Sequence, residues 1–292
     1  MNPSESNEQR TDGLVKFFCR HLVSLCVLAR RSDRTGETGE IEFFSHSGTV
    51  INIGGIFFFL TAGHILREWE KSLQEKQLTI ESAYLADTFG PDARSDHPIP
   101  FDFVNEHKIY IDDQDEGLDF GLIHLRPHYV HLLESNGIKA IFEGNWIHQD
   151  KVQFDSYAML GLPEEFTSCD FARSGDGSPM FGRVVPTMVF LRRLDTAPSE
   201  SKPTRFPRFV GQLPADLQLN SIIGMSGGPI FGFSFAPAVR YWVVAIQSSW
   251  DPQRHITFGC PVPVLASLLT RCVGNLTSEG QILPDGDVRT VR

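Results

Sequence analysis

Short apolar runs, rich in β-branched and aromatic residues, recur along this chain between clusters of Gly, Pro, Ser, Asn and Asp. That texture predicts an all-β barrel or sandwich rather than βαβ repeats. Strands are predicted over Leu22–Ala29, Glu40–Phe44, Thr49–Ile53, Ile56–Leu60, Leu78–Leu85, Phe120–Leu125, Ser156–Leu160, Met188–Leu194, Gly228–Phe233 and Tyr241–Gln247. Helical spacing is confined to residues 6–20, HILREWEKSLQ (64–74), PHYVHLLESNG (127–137, with Gly137 as the stop) and PVPVLASLLTRC (261–272). The stretches 87–102, 170–182 and 195–208 read as loops, and the polar tail from Gly274 as frayed.

Length and charge narrow the function classes. At 292 residues the chain is long enough for one large unit or two small domains. With 26 Lys plus Arg against 36 Asp plus Glu, a formal net charge of −10 argues against nucleic acid as a partner. No apolar run approaches the roughly 18 residues needed to span a bilayer, so no membrane partner is expected. The N-terminus MNPSESNEQRTDG lacks a basic leader, and the first apolar stretch is broken by Lys16, Arg20 and His21, a poor signal peptide. Five scattered cysteines (Cys19, Cys26, Cys169, Cys260, Cys272) form no C-x-x-C pair and are expected as reduced thiols in a cytoplasmic protein.

The candidate chemistry begins at SIIGMSGGPIFGF (221–233), where Ser226 stands among glycines. Such a stretch can be a nucleophile elbow, a peptidase nucleophile loop, or a plain turn. Two further segments carry the partners a serine nucleophile needs. In SHSGTVINIGGIFFFLTAGHILREW (45–69) an apolar strand delivers His64 at its end, and in DEGLDFGLIHLRP (115–127) Asp119 directly precedes a strand. A hydroxyl is a weak nucleophile at neutral pH and needs a base within reach, the role open to His64. Asp119 would hold that base in one tautomer, and the backbone N–H groups of Gly224 and Ser226 would face a developing oxyanion.

The segments SGTV, TAGH, DFGL and GMSGGP, in that order, resemble the trypsin-like (chymotrypsin-fold) serine peptidases, closest to the bacterial branch that includes the HtrA-type peptidase domains. The resemblance runs in outline from about residue 22 to 272 and implies an all-β fold, a double six-stranded β-barrel with a C-terminal helix and a few short helices in loops. It implies an N-terminal extension (1–20), a first barrel carrying His64 and Asp119 (21–150), a second barrel carrying Ser226 and opened by MLGLP (151–272), and a polar tail (273–292). The implied activity is that of a serine endopeptidase acting through an acyl-enzyme on a protein or peptide substrate, with a regulatory protein partner allowed and no cofactor. Asn220, six residues before the nucleophile, would floor the primary pocket. Ser248, Ser249 and Trp250 would line it, with Ser249 pairing the substrate backbone and Trp250 narrowing the mouth. Such a pocket would take an uncharged, small to medium side chain. Met225, where secreted relatives carry an Asp, and the absence of an IVGG-like start exclude zymogen activation by a freed N-terminus.

Two other readings compete. A peptidase fold that binds peptides without cleaving them keeps the same motifs. An esterase of the α/β-hydrolase kind would need a helix straight after Ser226, which Pro229 forbids, and an Asp and His downstream, where only Asp251 and His255 stand. His124, His128 and His131 have a metal-like spacing, but Pro127 interrupts it and no metal is expected. No glycine-rich phosphate motif occurs.

Overall fold

A computed structural model describes residues 13–32, 38–113, 115–146, 151–170, 181–195, 198 and 203–278. The chain enters through a helical segment, 13–18, and a 3-10 turn, Cys19–His21. The first half then supplies β1 (Val23–Ser32), β2 (Thr38–Ile53), β3 (Ile56–Thr61), α1 (Gly63–Gln74), β4 (Leu78–Ala86), β5 (Ile99–Pro100), β6 (Lys108–Asp113), β7 (Leu118–His124) and α2 (Pro127–Ser135). The second half supplies β8 (Ser156–Gly161), β9 (Ser168–Asp170), β10 (Phe181–Arg183), β11 (Thr187–Arg193), β12 (Phe209–Gln212), β13 (Pro229–Ser234), β14 (Arg240–Asp251), β15 (Ile256–Pro261) and α3 (Val262–Ser278).

The second half closes into a six-stranded barrel in the order β11-β12-β15-β14-β13-β8, as expected. The first half is a seven-stranded antiparallel sheet, β5-β4-β1-β2-β3-β7-β6, rather than a second closed six-stranded barrel. Helix α1 packs against β6 and β7 and also reaches β4, and its Leu66 and Trp69 lie in the core of this half. Several elements depart from the sequence pattern. The predicted strands 40–44 and 49–53 are one 16-residue strand, β2, because Ser45–Gly48 continue the same ladder opposite β1. Strands β5, β6, β9, β10, β12 and β15 had no predicted counterpart. Helix α3 runs through Gly274 to Ser278 instead of fraying there. Residues 6–12, 171–180 and 279–292 of the predicted segments lie outside the described residues.

The hairpin turn behind the FFF run follows from its glycines. Ile53 pairs with Ile56, leaving the two-residue loop Gly54-Gly55 with φ of +59° and +87°, conformations that an L side chain rarely adopts. Asn52 Oδ1 accepts the Gly55 N–H at 3.2 Å. Along β3 successive side chains then serve two different cores. Ile56, Phe58 and Leu60 point to an apolar layer that also holds Leu160, Phe231 and Val243 of the barrel and Leu265 and Leu269 of α3. Phe59 faces the other way and packs with Leu25, Trp69 and Ile123 inside the first sheet. Met159, Ile230 and Ala245 fill a third core inside the barrel, while their strand neighbours face the shared layer. Strands covered on both faces are apolar along most of their length, which is why β3 and β13 read as hydrophobic runs, and β7 does so apart from Asp119 and His124.

His21 joins the two halves. Its Nδ1–H donates to Lys139 O at 2.8 Å, and Tyr241 O–H donates to its Nε2 at 2.9 Å. Burial pushes its pKa down to about 4, helped by the Arg20 charge and opposed by the bond to Lys139. In the unfolded chain the ring takes up a proton near pH 6.5, whereas the folded ring stays neutral until about 4. Its contribution is therefore complete above the unfolded value and is lost as the pH falls toward the folded one, by about 3 kcal/mol in all. His46, also pushed down to about 4 by burial, shares that window. Denaturant melts at pH 7, 5.5 and 4 should show stability falling across it, and His21→Gln should flatten the dependence; an unchanged slope in the variant would assign the loss to other groups.

Candidate active site

Strand pairing brings His64 and Asp119 together. Thr61 of β3 lies opposite Gly121 of β7, so the antiparallel ladder carries the next turn of chain, at the start of α1, beside Asp119. Gly63 makes the approach possible, because a Cβ there would collide with the carbonyls of Ile111 and Phe120. The buried Asp119 carboxylate then accepts two hydrogen bonds from one residue: Oδ1 from the His64 backbone N–H at 2.9 Å and Oδ2 from Nδ1–H at 2.8 Å. With Nδ1 protonated, Nε2 is left as the basic atom of the ring.

Burial by itself lowers the His64 pKa. The hydrogen bond to Asp119 and the negative charges of Asp119, Glu68 and Asp112 outweigh it, and the net direction is upward from 6.5. Glu68 stands one helical turn beyond His64 on α1, and Asp112 is itself ion-paired with Arg67.

The serine loop is shaped by two glycines in left-handed conformations, Gly224 at φ +90° and Gly227 at φ +89°. Its turns are closed by Met225 N–H to Ile222 O (3.1 Å) and Gly228 N–H to Met225 O (2.9 Å), and it is tied to β14 by Gly227 N–H to Gln247 O (2.8 Å). None of these bonds uses the N–H of Gly224 or of Ser226. Met225 is wholly buried in the barrel core. Ser226 Oγ donates to Ser248 O at 3.3 Å, rather than to the His64 ring.

The first half holds this loop in place. Ser47 Oγ donates to Gly224 O at 2.7 Å and accepts the Leu162 N–H at 2.9 Å, while Thr61 Oγ1 donates to Ser47 O at 2.8 Å. Gly227 sits directly against Thr61 and Ser47, where a Cβ would overlap both.

Between the halves lies a cleft of about 470 Å³ that His64, Ser226 and Gly224 line together. Ser248, Ser249 and Trp250 form part of the same lining, and Trp250 pairs with Thr257 across β14 and β15. Asn220 does not. It is exposed, its backbone N–H and side-chain amide held by the Glu165 carboxylate at 3.0 and 2.9 Å, and it is outside the cleft lining, so the floor assigned to it is corrected. Counting back six residues presumes a loop of fixed shape, and here the carboxylate of Glu165 turns that segment outward. Buried Ile222 lines the cleft instead.

Sequence reasoning missed Ser47, Thr61, His46 and Glu68. Glu68 stands four residues after His64 in a predicted helix, and Ser47 and Thr61 lie inside the quoted SGTV and TAGH segments, but the bonds of Ser47 cross to the second half and could not be read from spacing. His46 lines the cleft with its Nε2 accepting Trp69 Nε1–H at 2.8 Å. Of the three spaced histidines, His124 is buried on β7 and His128 and His131 lie on α2. Cys19 and Cys260 are free thiols and, like Cys26, are buried; the side chains of Cys169 and Cys272 lie outside the described residues.

The His64 ring should titrate above 6.5, and Glu68→Gln should move its midpoint down by removing one of the charges that favour the imidazolium. A ring-proton NMR titration of both proteins measures this directly, and an unmoved midpoint in the variant would show that Glu68 has no part in setting the value. No protein-family model and no curated protein matches this chain, so the chemistry of the cleft rests on its geometry.

Proposed function

We propose that this protein is a serine endopeptidase of the trypsin-like kind. The observation that carries the reading is one cleft lined by a histidine whose Nδ1–H is held by a buried carboxylate and by a serine in whose loop the Gly224 and Ser226 N–H groups make no hydrogen bond among the described residues. In the proposed reaction Ser226 Oγ attacks the substrate carbonyl carbon while His64 Nε2 takes the hydroxyl proton. Asp119 stabilises the imidazolium, and the N–H groups of Gly224 and Ser226 receive the oxyanion. Collapse of the tetrahedral species breaks the C–N bond, His64 returns its proton to the leaving amine, and an acyl-enzyme remains on Ser226. Water, deprotonated by His64, then releases the acid and restores the serine. The hydroxyl must first rotate from Ser248 O toward His64.

That rotation supports a second reading, a peptide-binding module that keeps the fold without cleaving. A fluorophosphonate probe separates the two, because only a competent nucleophile is labelled. Wild type should label at Ser226 and hydrolyse peptides. Ser226→Ala should fold normally and lose cleavage by at least about 10³-fold, and His64→Ala should be comparably slow with no additional loss in the double variant. A fully folded wild-type protein that neither labels nor cleaves would establish the binding module.

Under the same proposal, Ile222 and Trp250 favour an uncharged small to medium side chain before the scissile bond. A cytoplasmic setting and a single regulated target belong to this proposal. One methylene in such a pocket changes discrimination by about 1–3 kcal/mol, so preference should be graded. Trp250→Gly should raise kcat/KM for Phe and Tyr relative to Ala and Val in a substrate library; dominance of Arg or Lys in the wild-type library would overturn the pocket assignment.

A further inference from the structure

A second cavity, about 630 Å³, opens on the barrel and shares no lining residue with the cleft. Phe154, Tyr157, Phe209 and Val244 give it apolar walls, with Pro207, Pro261 and Pro263 along its lining. Two arginines enter it from neighbouring positions, Arg193 at the end of β11 and Arg208 just before β12. The Arg193 guanidinium lies 5.6 Å from the ring centres of both Tyr157 and Phe209, and that of Arg208 lies 4.5 Å from Phe258. Stacking uses the flat face of a guanidinium and leaves its N–H edge for a planar anion.

Among the described residues neither arginine forms an ion pair, and the hydrogen bond of Arg193 is a long one, Nη1 to Tyr157 Oη at 3.4 Å. Arg208 is half-buried in that state, and a buried cation is costly until an anion meets it. Asp195 lines the same cavity, so among the described residues its lining carries two positive charges against one negative. That balance leaves one uncompensated positive charge, which a single carboxylate neutralises and a polyanion would exceed. One carboxylate on an apolar body fits both the local charge and the walls.

We infer that this cavity is a binding site for a peptide carboxylate flanked by apolar residues, with Arg193 and Arg208 as its anion clamp. The site is separate from the cleft and does not depend on the peptidase reading. The carboxylate could be a Glu side chain or a peptide C-terminus, and the test distinguishes these.

Three peptides carrying an uncharged boron-dipyrromethene dye at the N-terminus probe the full chain by fluorescence anisotropy: Ala-Leu-Phe-Glu-Ala-amide, Ala-Leu-Phe-Ala with a free C-terminus, and the neutral Ala-Leu-Phe-Gln-Ala-amide. At least one carboxylate peptide should bind about tenfold tighter than the neutral one, and the tighter of the two names the source. Arg193→Gln and Arg208→Gln should each remove most of that difference, and hydrogen exchange should slow on addition of peptide in 190–194 and 207–211. Arg208→Lys, which keeps the charge and loses the fork, serves where Arg208→Gln fails to fold. Equal affinity for the neutral peptide, affinity unchanged in folded variants of both arginines, or protection confined to the cleft segments would each overturn the site.

Discussion

One apolar layer shared by the two halves holds the molecule together. Phe58, Leu60 and Phe120 enter it from the first sheet, Leu160 and Phe231 from the barrel, and Leu265 and Leu269 from α3. Fully burying a side chain of this size contributes about 1.5–3 kcal/mol. The halves are therefore not free to drift, and groups on their facing loops can be held to hydrogen-bond precision. Ser47 illustrates the consequence: its hydroxyl bonds Gly224 and Leu162, both across the boundary, only because the layer beneath fixes the separation.

The polar edge of that layer is where burial is most expensive and most useful. Asp119 is almost wholly buried, yet each of its carboxylate oxygens receives a hydrogen bond from His64. Two charge-assisted bonds to one residue offset the desolvation and fix both the position and the tautomer of the ring. The same geometry that lets the fold tolerate a buried carboxylate gives the histidine a basic Nε2. Stability and the proposed chemistry thus draw on one interaction.

Charge is distributed unevenly around these two cavities. Among the described residues the cleft carries Glu68 and Glu164 in its lining and no Lys or Arg, while the second cavity carries two arginines stacked on aromatic rings. A net charge of −10 describes neither of them. Fields at a site are set within a Debye length, roughly 8 Å at physiological ionic strength, so neighbouring residues outweigh the total.

Local rules were enough for much of this protein. Alternation and β-branched runs located most of the long strands, Gly54-Gly55 located the hairpin turn, Pro127 began α2, and the segments TAGH, DFGL and GMSGGP picked out the three residues that line or support one cleft. Those signals survive in sequence because each depends on the residue itself or on its immediate neighbours. Strand β6 was not legible, since its side chains are half-covered by α1 and alternate weakly. The unclosed first sheet, the outward turn of Asn220 and the Ser47 bonds were decided by packing between distant segments, with partners 55 residues apart at Asn220 and 177 apart at Ser47. Such contacts leave no periodicity behind, because a hydroxyl or carboxylate finds its partner only after the shared core has set the distance between the two halves.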